Sequence, residues 1–364
     1  MTAAIATAPP RIVIAAGGTA GHVVPAIAIA DALRAEGAEV VFVGGERAEA
    51  ELVPAAGYEL EPIRVEGISR SNPLKAARAV AKAGTALGAA SRILRRRRAD
   101  AVLGGGGYVA GPVGAAAVRH GIPLVLTEAD SHLGLTNRLL APRARRVCLA
   151  FAIEGRDGPR YLVTGRPVPP TLHGRAEARA AFGLPAEGVC VLVFGGSLGA
   201  RSINHAAVEA FADAPYHVLH IAGARDFPEL SARGEHYVLR AYVEPFGQAL
   251  LAADLAVARA GGSIFELAQY GLPAVLVPYP HAAADHQSAN ALWMQRAGAA
   301  VVIGDAELTP ERLRREVDAL VDDGLSLTAM AGASARLARP DAARTVAREV
   351  LAAAGGHAPA QASS

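Results

Sequence analysis

Short runs of Val, Ile, Leu and Ala without polar alternation recur along the chain, each followed by a longer Ala-rich stretch of helical character. In the first half they are Ile12–Ala16, Val40–Val43, Ala101–Leu103, Leu124–Leu126 and Val147–Phe151. In the second they are Cys190–Phe194, Val218–Ile221, Leu255–Ala258, Ala274–Val277 and Ala300–Ile303. Such runs suit central strands of a parallel sheet covered by helices on both faces. Their alternation with helices predicts an α/β protein of two successive Rossmann-like domains.

An internal echo supports the division. A strand runs into Gly17-Gly18-Thr19-Ala20-Gly21, and another into Gly195-Gly196-Ser197-Leu198-Gly199. A length of 364 residues suits two domains better than one core. Pro167, Pro169 and Pro170 oppose helix and strand alike and mark the linker at Thr164–Pro170. The predicted domains are 11–166 and 167–338, with a last helix within 339–354 that could cross back to the first domain.

Composition narrows the class. Hydrophobic residues make up 52% of the chain and charged ones 19%, with Gly and Pro spread throughout, as in a globular protein with many turns. Residues 1–10 and the tail from Gly355 are small and polar and are placed outside the fold. Cys148 and Cys190 each lie in an apolar run and lack metal-ligand spacing, which fits a reducing compartment. No secretory signal or membrane-spanning run is read, so a cytoplasmic protein is expected. Net charge is only +2, yet nine basic residues and no acid fall between Ile68 and Ala99. Such a block is a solvated helix face or a place for anions.

Three glycine-rich turns follow strands. The turn at Gly17–Gly21 leads to a helix expected from near Pro25 to Ala35, which would aim free N–H groups at an anion or a reacting oxygen, with His22 at its mouth. Alone, such a turn also serves merely to close a βα connection. The run Gly104-Gly105-Gly106-Gly107-Tyr108 would let backbone approach a ligand. In Arg259-Ala260-Gly261-Gly262-Ser263-Ile264-Phe265-Glu266, Ser263 and Glu266 have the spacing of a capping box, while Arg259 and the glycine pair form a pyrophosphate-sized anion site. His281, Asp285 and His286 suggest a metal only weakly, and no Asp-x-Asp or lysine-bearing P-loop is present. No metal or cofactor is expected, and leaving-group charge would fall to helix N-termini and Arg.

Together, AAGGTAGHVVPAIAIA, LGGGGYVAGP, GLTNR, GGSLGARSIN, RAGGSIFE with GLPAVLVPYP, and DHQSANA resemble the MurG-type N-acetylglucosaminyltransferases from Arg11 to about Val350. The resemblance implies a GT-B fold, two Rossmann-like domains with parallel sheets facing a cleft, and metal-free inversion at the anomeric carbon. It implies a donor, UDP-N-acetylglucosamine, held mainly by the second domain. There Glu266 would hold the ribose, Gly261, Gly262, Ser263, Ile264 and Phe265 the diphosphate with Arg259 nearby, Ser197 a phosphate oxygen, Val243 the uracil neighbourhood, and Gln287 with Asn290 the sugar. The lipid-linked muramoyl-peptide acceptor would meet Thr19, Ala20, Gly21, Gly106 and Tyr108, with Asp130, Asn137 and Arg166 also substrate-binding. His22 and Glu128 are the candidates for deprotonating the attacking hydroxyl. Since a lipid-tailed acceptor must be reached at a bilayer, the basic stretch 68–99, which also carries Leu74, Val80, Leu87, Ile93 and Leu94, is expected to attach the protein to an anionic membrane surface on the cytoplasmic side, and no nucleic acid partner is expected.

Departures from the family pattern cluster in a few places. Thr127-Glu128-Ala129-Asp130 stands for the usual His-Glu-Gln-Asn, Pro169 for an arginine, Arg166 for an asparagine, and Ala20 for a frequent glycine. The RAGGSIFE turn is one residue shorter than usual. A UDP-sugar epimerase or hydrolase on the same architecture, a relative with another acceptor, and a silent UDP-binding scaffold are the competing readings.

Overall fold

The computed structural model describes residues 8–65, 73–196, 199–231, 234–282 and 285–355, with side chains in the stretch 73–97 given from residue 84 onward. Ser197 and the outermost chain ends lie outside the described residues. The chain divides into two compact units, residues 1–169 with 339–364, and residues 170–338.

In chain order the first unit has β1 (Arg11–Ala16), α1 (Ala20–Ala35), β2 (Glu39–Gly44), α2 (Ala48–Ala55), β3 (Glu59–Pro62), α3 (Pro73–Arg97) and β4 (Ala101–Gly106). It continues with α4 (Ala110–Arg119), β5 (Leu124–Glu128), α5 (Leu135–Leu140), β6 (Arg146–Leu149) and β7 (Tyr161–Val163). The second has α6 (Arg175–Ala181), β8 (Cys190–Phe194), α7 (Arg201–Ala210), β9 (His217–Ile221), β10 (Tyr237–Arg240), α8 (Gly247–Ala252), β11 (Leu255–Ala258) and α9 (Ile264–Gln269). After these come β12 (Ala274–Leu276), α10 (His286–Arg296), β13 (Ala300–Val302), α11 (Pro310–Asp322) and α12 (Gly324–Leu337); α13 (Ala342–Ala354) returns to the first unit.

The first sheet is parallel throughout, in the order β3-β2-β1-β4-β5-β6-β7. Alternation along β1 explains how both faces are covered. Ile12 and Ile14 join Ile29 and Leu33 of α1 and Val346 and Val350 of α13. Val13 and Ala15 join Ile93 and Leu94 of α3 and Val113 and Ala117 of α4. The second sheet, also parallel, runs β10-β9-β8-β11-β12-β13. One of its faces buries Val191 and Val193 against Ile203 and Ala207 of α7 and Leu313 and Val317 of α11.

Three strands, β3, β7 and β10, were not among the runs read as strands from the sequence, and each lies at a sheet edge. The first helix also starts earlier than expected, since Pro25 lies inside α1 and not at its entrance. In each sheet the strand order reverses beside the first strand, between β1 and β4 and between β8 and β11. Ligands of open α/β sheets bind beyond the carboxyl ends of the strands at such points. The glycine turns after β1, β8 and β11 and the glycine-rich end of β4 therefore stand where a site is expected.

Candidate active site

At the switch point of the first unit, β1 passes through Gly17 and Gly18 to Thr19, which precedes α1 in extended conformation. His22 lies in the first turn of α1, with Nδ1 3.3 Å from Thr19 Oγ1. Pro25 has no N–H, so the Gly21 carbonyl four residues earlier lacks its helical donor. The Arg166 guanidinium donates to that carbonyl instead, from 145 residues away. A cation is thereby held beside the first turn. Burial, then the Arg166 charge, hold the His22 imidazole below its ordinary pKa, against weaker pulls from Asp130 and Glu49.

The glycines around His22 serve the protein's own side chains. Gly104–Gly106 belong to β4 itself, not to a loop beyond it. A Cβ on Gly106, where φ is +101°, would lie 2.5 Å from the His22 ring. A Cβ on Gly107 would lie 1.8 Å from the Gly17 carbonyl oxygen. The run expected to admit a ligand thus admits His22 and the neighbouring turn. Within the Gly17–Gly21 turn the Gly18 N–H is not open to a ligand, because it donates to the Glu49 carboxylate at 2.8 Å. A second anion at that N–H would meet a negative charge already in place.

Glu128 ends β5 and is buried. Its carboxylate accepts from the N–H groups of Gly134 (2.8 Å) and Asp130 (3.2 Å) and from the Asn137 amide at 2.9 Å. Burial nevertheless drives its pKa above the usual carboxylate range. The Asn137 amide nitrogen also donates to the Thr127 carbonyl at 2.8 Å. Asn137, read as substrate-binding, is therefore committed to orienting Glu128.

In the second unit, the turn after β11 brings Gly261, Gly262 and Ser263 to the start of α9, with Ile264 and Phe265 buried and Glu266 half-buried. The expected capping box does not form. Ser263 has helical backbone angles and its side chain makes no cap bond, whereas a capping serine needs the extended conformation. The N–H groups of Ile264 and Phe265 turn inward to the Gly261 and Gly262 carbonyls, each at 3.3 Å.

Arg259 differs most from its expected part as a cation for the departing diphosphate. Its side chain is 11% exposed and bonded to Asp305 Oδ1 at 2.6 Å. It also donates to the Val277 and Pro278 carbonyls and to Ser202 Oγ, and it lies over the Tyr279 ring. It acts as a clamp joining the ends of β11 and β12 to α7. Gln287 accepts from the Tyr279 N–H at 3.0 Å, and the Asn290 amide donates to the Ala260 carbonyl at 2.9 Å. Asn290 Oδ1 is buried and has no hydrogen-bond partner among the described residues. Val243 is half-buried in the loop beyond β10, on the same strand-end side of the sheet. Among the described residues, no three His, Cys, Asp or Glu side chains gather as metal ligands.

Both units match one family. Residues 12–149 match the glycosyltransferase family 28 N-terminal domain and residues 190–346 its C-terminal domain. The chain belongs to glycosyltransferase family 28. Two relatives are each named a UDP-N-acetylglucosamine–N-acetylmuramyl-(pentapeptide) pyrophosphoryl-undecaprenol N-acetylglucosamine transferase. The one from Methylococcus capsulatus is 44% identical, covering 95% of this chain and 99% of the relative. The one from Moorella thermoacetica is 42% identical, covering 94% and 98%. The crystal structure of MurG from Acinetobacter baumannii superposes with a TM-score of 0.75 at 29% identity, covering 94% of this chain and 99% of that one. The resemblance to the MurG-type enzymes and the GT-B architecture are thereby borne out.

Against the family 28 motifs, two groups of residues went unseen in sequence. Glu49 lies in the first turn of α2 and is fully buried beneath the glycine turns. Its only local signal is an acid shortly after the Gly44-Gly45 pair. Ser202 and Asp305 complete the Arg259 clamp; Ser202 lies within GGSLGARSIN but was given no part there, and Asp305, 46 residues beyond Arg259, carries no motif of its own.

Proposed function

We propose that this glycosyltransferase moves N-acetylglucosamine from UDP-N-acetylglucosamine to the muramoyl C4 hydroxyl of undecaprenyl-diphospho-N-acetylmuramoyl-peptide, with inversion, in peptidoglycan synthesis. The reading is carried by the full-length similarity to relatives named for that transfer. The acceptor hydroxyl attacks the anomeric carbon, its proton passes to His22 or Glu128, and UDP leaves. Thr19–Gly21, Gly106, Tyr108 and Asp130 serve the acceptor side. On the donor side, Glu266 takes the ribose hydroxyls, the Gly261–Ser263 turn the diphosphate with Ser197, and Val243 the neighbourhood of the base. Gln287 and Asn290 face the sugar. The unpartnered Asn290 Oδ1 supports this, since a buried acceptor left unpaired costs about 1–3 kcal/mol and a sugar hydroxyl or amide would satisfy it.

The donor assignment is tested by calorimetry with UDP. Hydrogen bonds to a charged group are worth about 1.5–3 kcal/mol, so Glu266→Ala is expected to weaken UDP binding by about 10- to 100-fold. Unaltered UDP affinity in both Glu266→Ala and Glu266→Gln would remove Glu266 from the donor site.

We further propose attachment to the cytoplasmic face of the bacterial membrane, where the lipid-linked acceptor resides. No helix among the described residues is long and apolar enough to cross a membrane. The basic block needs revision, because Arg96 and Arg97 of α3 pair with Glu61 and Glu59 of β3, while Ile93 and Leu94 are in the core. Its exposed cations include Arg92 and Arg95. α5, which like α3 packs against α4, presents Leu135 (47% exposed) and Leu139 (64%) beside the exposed Arg138. Each basic residue near an anionic surface is worth about 1 kcal/mol, with a reach of ~8 Å at physiological salt. The combined variant Arg92→Gln, Arg95→Gln, Leu139→Gln should leave anionic vesicles at low salt while keeping its UDP affinity. Co-sedimentation equal to wild type would show that another surface binds lipid.

A further inference from the structure

Three loops at the carboxyl edge of the first sheet share one buried carboxylate. Glu49 Oε2 accepts from the Gly18 N–H at 2.8 Å, on the turn leading to Thr19 and His22. Glu49 Oε1 accepts from the Gly45 N–H at 2.9 Å, on the turn after β2, and from the Tyr108 hydroxyl at 2.7 Å, beyond β4. Three glycines leave room for this arrangement. A Cβ on Gly17 would lie 2.8 Å from Glu49 Oε1, one on Gly44 2.8 Å from Glu49 Cγ, and one on Gly45 2.0 Å from the Tyr108 hydroxyl oxygen. With Gly107 against the Gly17 carbonyl, the turns interlock backbone to backbone around the carboxylate.

We infer that Glu49 is a positioning residue for transfer, the shared acceptor that sets Thr19, His22 and Tyr108 relative to one another on the acceptor side of the site. An ionised carboxylate suits this part because it is acceptor-only and offers several lone pairs to three converging donors. A glutamine offers one oxygen and points an NH₂ group at a donor, so at least one loop is released. Burial works against ionisation here, but the hydrogen bonds from Gly18, Tyr108 and Gly45 outweigh it and hold the carboxyl below its usual range. The inference rests on the proposed assignment of acceptor binding to this unit.

Misplacing reacting groups by about 1 Å costs on the order of 100-fold in rate. In Glu49→Gln, kcat/KM for a short-chain polyprenyl-diphospho-N-acetylmuramoyl-peptide is therefore expected to fall about 100-fold, with UDP affinity by calorimetry unchanged. Gly45→Ala reaches the same end differently, since its new methyl displaces the Tyr108 hydroxyl and leaves Glu49 in the chain. It should show the same acceptor-selective loss, and it decides the matter alone if Glu49→Gln does not fold. A merely structural role would instead reduce UDP-binding capacity and turnover together, which overturns the inference. Wild-type acceptor kcat/KM in Gly45→Ala and in folded Glu49→Gln, with His22→Ala impaired, also overturns it and leaves the transfer reading standing. Wild-type turnover in His22→Ala as well would remove that reading, and the inference with it.

Discussion

Alanine at His22 is expected to lower kcat for transfer by about 10²–10⁴-fold, the usual effect of removing a general base, with UDP affinity unchanged. The same loss in Glu128→Ala alone would assign the proton to the carboxylate instead. The two environments separate them. His22 is pushed down by burial and by Arg166, so it remains neutral and able to accept a proton at cellular pH. Glu128 is pushed up by burial while three donors hold its oxygens. With His22 as the base, the acid limb of kcat/KM lies below the ordinary histidine value. Because a nearby cation disfavours a second positive charge, Arg166→Gln raises the His22 pKa and moves that limb to higher pH. With Glu128 as the base, the limb stays in place in Arg166→Gln. Wild-type kcat in both His22→Ala and Glu128→Ala would refute both roles.

What was legible in the sequence was what depends on neighbours along the chain. The run Cys190–Phe194 predicts β8 to the residue, because a strand buried on both faces needs uninterrupted apolar side chains. An edge strand need not follow that rule. In β3, Glu59 and Glu61 alternate with Leu60, and the acids meet the arginines of α3. A block counted as wholly basic along the sequence is thus partly neutralised in space. Long-range pairings were equally hidden. Pro25 reads as a helix entrance because proline favours that position, yet it is tolerated inside α1 where Arg166 takes the carbonyl it orphans. Arg259 reads as an anion-binding cation until Asp305 and Ser202 arrive beside it. The glycine runs marked the right rim of the sheet, but composition cannot tell a backbone that approaches a ligand from one that approaches another turn. Glu49 makes that distinction, and it lies outside every glycine motif.

Removing α13, by ending the chain at Arg339, is expected to destabilise the first unit severely. The helix follows the whole second unit in sequence, yet Val346, Ala347, Val350 and Ala353 are buried in the same cluster as Ile12, Ile29 and Leu33. Fully burying a valine contributes about 1.5–3 kcal/mol, so Val346 and Val350 alone account for about 3–6 kcal/mol. Glu349 also holds Arg146 at 2.6 Å in a largely buried pair, and its loss leaves that guanidinium without its carboxylate at β6. Against a typical domain stability of about 5–15 kcal/mol, the first unit would be left close to unfolding. A change of 1 kcal/mol shifts Tm by about 2–4 °C in a unit of this size, which gives a fall of roughly 6–24 °C. Scanning calorimetry with saturating UDP checks it: the nucleotide raises the melting of the unit that binds it, residues 170–338 on the donor assignment above, while the truncated first unit melts early. An unshifted first transition in the truncated chain would show that α13 contributes little to that core.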